Sequence, residues 1–200
     1  MRYGSEHKQE TRRKILDIAG KRIRREGVEA VGVASLMADC GLTHGGFYAH
    51  FKSKDELVAA ALDQGMCESS DRIFAHADQA EDKLGAYIRA YLSPHHRDQA
   101  ENGCAFSALA PELSRGASPV RETVAARLDP YLDRIGRLLP PSNANTTDPV
   151  SARRQATALF SLLMGSLQLA RLTEDRTLSD SILESGIKAA LDLVSLWSST

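Results

Sequence analysis

Apolar positions recur at helical spacing along the chain, and no stretch alternates as a half-buried strand would. Ile15, Ile18, Ala19 and Ile23 mark a first helix over about residues 6–26, ended by Gly27. Ala34, Leu36, Met37 and Ala38 give a second helix an apolar side, and Gly41 stops it because glycine enters the left-handed region without steric cost. Leu42 plugs the turn, Thr43 is placed to cap a third, short helix, and Phe47 and Phe51 lie four apart on its buried side. Ser53-Lys54-Asp55-Glu56 is a capping box opening a long helix to about residue 76. Further helices are predicted over about 80–93, 104–113, 118–139, 150–172 and 179–197. Polar loops are predicted at 94–103 and 140–148, and Ser118-Pro119 and Asp148-Pro149 are read as helix starts. The fold class is therefore all-α, with no internal repeat.

Two short helices joined by a tight glycine turn form a helix-turn-helix, whose second member fits the major groove of DNA. Its outward residues are His44, Gly45, Gly46, Tyr48 and His50, the candidates for base edges and adjacent phosphates. Gly45 and Gly46 have no side chains, so they would read by close approach or against a thymine methyl, which makes His44 the leading base reader. Ser35, near the start of the preceding helix, is a further phosphate candidate. Charge agrees once the chain is divided. The whole carries −1, but residues 1–55 hold eleven Lys/Arg against seven Asp/Glu, and the remainder holds fourteen against nineteen. A basic contact surface attached to an acidic body has that asymmetry.

Residues 11–62, TRRKILDIAGKRIRREGVEAVGVASLMADCGLTHGGFYAHFKSKDELVAAAL, resemble the TetR family of bacterial transcriptional regulators. The specific pieces are ILDIA in the first helix, Gly41-Leu42-Thr43 at the turn, and the F-Y-x-H-F-x-S-K-x-E-L run from Phe47 to Leu57. The resemblance implies a three-helix DNA-binding domain over residues 1–52 and a larger helical ligand-binding and dimerisation domain over 53–200. It also implies that Tyr48 and Lys54 contact the DNA backbone, and that Thr43 caps its helix and touches phosphate. The last two helices are apolar over a wide arc, which requires burial on two sides. The resemblance makes them a four-helix homodimer interface, with Gly165 and Ser166 permitting close approach. It further implies an inducer cavity, for which Phe74, Tyr87, Tyr91, Phe106 and Tyr131 are the candidate lining. The family pattern departs at Gly45-Gly46, where many members carry bulkier residues.

Two hundred residues suffice for a small domain plus a larger one. No apolar run approaches the roughly 18 residues that span a bilayer, and the first ten residues are too polar for a signal peptide, so a cytoplasmic protein is expected. Cys40, Cys67 and Cys104 are widely separated, with no CxxC and no zinc spacing, so neither a disulfide framework, a metal nor a cofactor is expected. His95-His96 is read as part of a solvated loop. Cys104 follows Asn102-Gly103 at a helix start, where a thiolate is favoured, so it is a candidate redox or electrophile sensor beside its reading as a packing residue. No nucleotide-binding glycine loop, GxSxG elbow or HExxH occurs, which argues against an enzyme. The expected function is a homodimeric repressor released from a palindromic operator by a small hydrophobic or aromatic inducer. The alternatives are a thiol-sensing repressor using Cys104, an activator, and a DNA-binding protein without inducer.

Overall fold

The computed structural model describes residues 2–116, 118–140 and 149–198. In chain order these form α1 (Arg2–Glu26), α2 (Val33–Asp39), a 3-10 turn (His44–Ala49), α3 (Lys54–Asp78), α4 (Lys83–Tyr91) and α5 (Pro94–Asp98). A second 3-10 turn (Ala100–Asn102), α6 (Ala105–Leu113), α7 (Ser118–Gly136), α8 (Pro149–Arg171) and α9 (Arg176–Ser198) follow, with no strand among the described residues. All of the predicted loop over 140–148 except Pro140, and with it the Asp148 helix start, lies outside the described residues, as does the Ser118 side chain. They group into two compact units, one from Met1–Ser69 with Ala100–Arg127 and one from Ser70–Gln99 with Leu128–Thr200.

In the first unit the stripe Ile15, Ala19 and Ile23 of α1 is fully buried with Leu36, Met37, Leu57 and Leu62. Both positive-φ glycines end helices: Gly27 at φ 90° after α1 and Gly41 at φ 73° after α2. Arg24, one of the basic residues of α1, is buried. Its Nε donates to the Glu101 carbonyl at 2.6 Å, and Nη1 lies 2.0 Å from where a Cβ on Gly65 would sit. The missing side chain of Gly65 is the room that this guanidinium occupies. Glu112 of α6 accepts the Val28 N–H at 2.8 Å, just past the end of α1. The capping box of α3 forms, with Ser53 Oγ accepting the Glu56 N–H at 3.1 Å; the Glu56 carboxylate reaches the N–H of Lys52 rather than that of Ser53.

In the second unit the stretch after Pro94 is a helix and not the solvated loop expected. Ser93 caps it, accepting the His96 N–H at 3.1 Å, and Pro94 supplies the preset φ of a first helical position. His96 is thereby turned inward, its Nδ1 donating to the Tyr91 carbonyl at 2.7 Å. Arg97 is also buried, bonded to Asp180 at 2.5 Å, Ser179 at 2.9 Å and Asp98 at 2.8 Å, and these carboxylates hold its guanidinium charged. Between α8 and α9, a Cβ on Gly186 would lie 2.6 Å from Ser166 Oγ. Ser166, expected to serve a dimer contact, is thus spent on packing within the chain, while Gly165 has open space beside it. Leu169, Leu178 and Leu196 stand exposed on the same two helices, and Leu172 just past the end of α8.

Burial pushes the His96 imidazole down to about 4, from an unfolded value near 6.5. The folded chain therefore holds His96 neutral where an unfolded chain would protonate it. This stability is fully present above about pH 6.5 and is lost as pH falls toward about 4, by up to about 3 kcal/mol. Urea unfolding of His96→Gln should show a loss over that interval smaller than wild type by about that amount. Equal pH dependence in the two proteins would place the buried proton elsewhere.

Candidate nucleic-acid interface

The turn between α2 and the 3-10 turn is closed by backbone bonds. The Leu42 N–H donates to the Met37 carbonyl at 2.8 Å and the Gly41 N–H to that of Ala38 at 2.9 Å, a Schellman pair that needs a left-handed residue at Gly41. Lys14 of α1 then takes the Cys40 carbonyl at 2.9 Å, so the end of α2 is also held by a cation favoured at a helix C-terminus. After the turn the chain folds as a six-residue 3-10 segment in place of an α-helix. Two consecutive glycines near its start lower the helix propensity that would favour the α form. Beneath it Phe47 and Phe51 are buried with rings 5.6 Å apart, and the Arg12 guanidinium lies 4.9 Å from the Phe51 ring centre.

With Phe47 and Phe51 facing inward, His44, Gly45 and Tyr48 are exposed, Tyr48 by 68 %, and the rings of His44 and Tyr48 meet edge-on at 6.2 Å. Gly46 and His50 are half-buried. His50 Nδ1 is enclosed without a hydrogen-bond partner, and burial, with Lys8 and Arg12 nearby, lowers its pKa. Thr43 occupies the cap position, but its hydroxyl makes no cap bond, correcting the sequence expectation; its carbonyl accepts the Gly46 N–H at 3.0 Å. Ser35 is exposed, its hydroxyl donating to the Gly32 carbonyl at 3.0 Å and accepting from Arg22 at 3.3 Å. Lys54 reaches back to Glu29, 3.5 Å from its carbonyl and 4.0 Å from its carboxylate.

Not every basic residue here is equally available to an anion. Arg22 is paired with Asp39 at 2.7 Å and Glu26 at 2.8 Å, and the hydrogen bonds from Arg22 and Arg25 lower the Glu26 pKa. Lys21 is paired with Asp17. These pairings leave the net basic excess as counted, but they decide which cations are engaged within the unit.

The ligand candidates fall in both units. Phe74, Tyr87, Tyr91 and Tyr131 pack together in the second: Phe74 stacks on Tyr87 at 4.8 Å, Tyr87 lies 6.1 Å from Tyr91, and the Tyr87 and Tyr131 hydroxyls are 3.2 Å apart. Phe160, which the sequence places on the wide apolar arc of the penultimate helix and not among the ligand candidates, joins them 4.9 Å from Tyr131 and 5.9 Å from Tyr91. Its helical spacing read as interface, which is why aromatic character alone did not single it out. Arg134 lies over Phe74 at 4.1 Å. Phe106 is buried in the first unit. Cys104 sits at the start of α6, 2 % exposed, its carbonyl accepting the Ser107 hydroxyl at 2.9 Å. None of the three cysteines is in a disulfide, and no cluster of three or more metal-ligating side chains forms among the described residues. No helix among them is long and apolar enough to cross a membrane.

Family models match twice. Residues 15–61 match the model described as bacterial regulatory proteins, tetR family, and residues 80–185 match the tetracyclin repressor-like C-terminal domain. Over 84 residues the chain is 37 % identical to the probable HTH-type transcriptional regulator ArpR of Pseudomonas putida, covering 42 % of this chain and 39 % of that protein. The chain thus spans about two fifths of the length of the curated relatives it matches. A TetR transcriptional regulator from Chloroflexus aurantiacus superposes with a TM-score of 0.78 at 23 % identity, over 95 % of this chain and 96 % of that one. For the TetR-family regulator SCO4454 of Streptomyces coelicolor the values are 0.73 and 25 %, over 95 % and 97 %.

Burial ranks the thiols. In the native protein iodoacetamide should modify half-buried Cys67 well before Cys40 and Cys104, which should label only on unfolding. Burial also pushes the Cys40 thiol up, away from thiolate. Peptide mass spectrometry over a labelling time course reads the order, and early modification of Cys104 would reverse it.

Proposed function

The chain belongs to the TetR family of bacterial regulatory proteins, and from that membership we propose that it is a homodimeric transcriptional repressor released from a palindromic operator by a small hydrophobic or aromatic inducer, acting in the cytoplasm. The observation that carries this reading is the exposed edge of His44, Gly45 and Tyr48, held over the buried Phe47 and Phe51 by a bonded glycine turn. Phosphate contacts set the register of a reader on the duplex, and base contacts specify sequence. Tyr48 and Lys54 serve as backbone contacts, Thr43 and Ser35 as flanking ones through their hydroxyls, and His44 and His50 face the groove. Lys54 must exchange its Glu29 contact for phosphate.

One six-residue segment reads too few base pairs alone, so two copies on paired half-sites are required. The leucines exposed on α8 and α9, together with the open space beside Gly165, support pairing through those helices. The inducer lies among Phe74, Tyr87, Tyr91 and Tyr131, where tyrosine hydroxyls offer a few polar groups within an apolar lining; Phe106 is the fifth candidate. Phe74 and Lys54 are carried by one helix, α3, so a ligand beside Phe74 would act on the helix that bears Lys54. Paired recognition segments must sit about 34 Å apart, and a change of a few Å disfavours both contacts together.

Band-shift titration on its own promoter tests the activity. Binding should be specific and dimeric, and affinity equal to that for random duplex at matched salt would sink the reading. Tyr48→Ala and Lys54→Ala should weaken binding to all sequences, with Lys54→Ala lowering the salt slope by about one. His44→Ala should relax base preference by about 1–3 kcal/mol at one position.

Ligand coupling has its own test. A tenfold loss of operator affinity requires about 1.4 kcal/mol of coupling, and DNA must weaken ligand binding equally. Tyr91→Ala should alter induction and leave apo DNA binding nearly unchanged, whereas equal ligand affinity with and without operator would exclude coupling. Release by peroxide or a quinone from wild type but not from Cys104→Ser would favour the thiol-sensing alternative; the burial of Cys104 supports instead its reading as a packing residue, with release unaffected by Cys104→Ser.

A further inference from the structure

The fold itself gives no reason for the two glycines of the exposed segment. Neither has a positive φ, unlike Gly27 and Gly41, so no backbone conformation demands glycine there. A Cβ built on Gly45 meets nothing within 4 Å. One built on Gly46 makes only ordinary contacts, 3.6 Å from Thr43 Oγ1 and 3.7 Å from Met37 Cε. Alanine would fit at both positions and would raise helix propensity, so the pair costs stability without relieving strain. Gly65 and Gly186 are different, each with an internal reason: at Gly65 the Arg24 guanidinium fills the space, and at Gly186 the Ser166 side chain does. What sets Gly45 and Gly46 apart is that they are adjacent on the edge that carries exposed His44 and Tyr48.

We infer that Gly45 and Gly46 form a side-chain-free notch that seats the 5-methyl group of a thymine in each operator half-site, and that they are specificity-determining residues. This rests on the DNA-binding reading above. The notch is bordered by the His44 and Tyr48 rings, which meet edge-on, and the Met37 methyl lies beneath Gly46. Base edges in the major groove offer hydrogen-bond acceptors, amino donors and one apolar projection, the thymine methyl. A surface without side-chain donors or acceptors gains nothing from the first two. It gains from excluding water around a methyl, and only if no Cβ already occupies the space.

The experiment uses the full-length protein and an operator selected from a random duplex library, with each thymine replaced in turn, symmetrically, by deoxyuridine, which removes only the methyl. Wild type should lose about fourfold affinity per half-site at one symmetric position, the effect of one buried carbon. Gly45→Ala should bind the thymine operator more weakly than wild type and lose that difference between thymine and deoxyuridine. Gly46→Ala should behave in the same way. Thermal unfolding of both variants should be no lower than that of wild type, which separates a groove effect from a folding defect.

Wild-type affinity that is unchanged by every deoxyuridine overturns the inference. So does an alanine variant that retains both wild-type affinity and the thymine preference, or one whose melting temperature falls. These results leave the DNA-binding reading standing. Selection that yields no preferred sequence overturns that reading, and this inference with it.

Discussion

The exposed edge depends on a backbone constraint, the left-handed residue at Gly41. With Gly41 at φ 73°, the Met37 and Ala38 carbonyls are satisfied by the Leu42 and Gly41 N–H groups, and the chain leaves α2 in one direction only. That exit puts Phe47 and Phe51 under the segment and leaves His44 and Tyr48 on top. No Cβ at Gly41 would strike a neighbour, so the requirement is purely torsional. A β-branched residue there would have to distort the turn, and the aromatic floor and the exposed edge would lose their registration together.

Electrostatics refine what packing establishes. Arg22, Lys21 and Arg25 meet carboxylates on or beside α1, so much of the positive charge near the helix-turn-helix is already answered within the unit. Exposed pairs of this kind contribute little stability, typically under about 1 kcal/mol each. Their larger effect is on availability: a lysine or arginine held by a carboxylate must give up that partner to meet a phosphate. The buried arginines differ. Arg24 and Arg97 are enclosed and bonded to carbonyl, hydroxyl or carboxylate oxygens, so removing those partners would strand a charge away from water.

Helical periodicity made most of the architecture legible, because apolar stripes such as Ile15, Ala19 and Ile23 must be covered and glycine or proline marks where they stop. The family signature around Gly41 and Phe47–Leu57 made the helix-turn-helix legible too. What escaped were features decided by partners distant in sequence. Nothing local to Arg24 distinguishes it from Arg25, yet Gly65, forty-one residues away, clears space for one and not the other. His96 looked solvated because its neighbours are polar, but the Ser93 cap and Pro94 start a helix that turns it toward Tyr91. Ser166 read as part of an outer face because its match, Gly186, lies on the next helix. Thr43 is a good cap by residue type and makes no cap bond, since a 3-10 start presents its N–H groups differently.

If the protein reads DNA as proposed, the brevity of the 3-10 segment sets how much information one subunit can extract. Six residues rising about 2.0 Å each extend about 12 Å, the length of roughly three or four base pairs at 3.4 Å. A word of that length in a four-letter alphabet recurs every hundred or so base pairs, tens of thousands of times in a genome of several million. An address unique enough to control one promoter therefore cannot be stored in the segment itself. It has to be stored in the distance and phase between two such words, so any change in that distance erases the address while leaving each word readable.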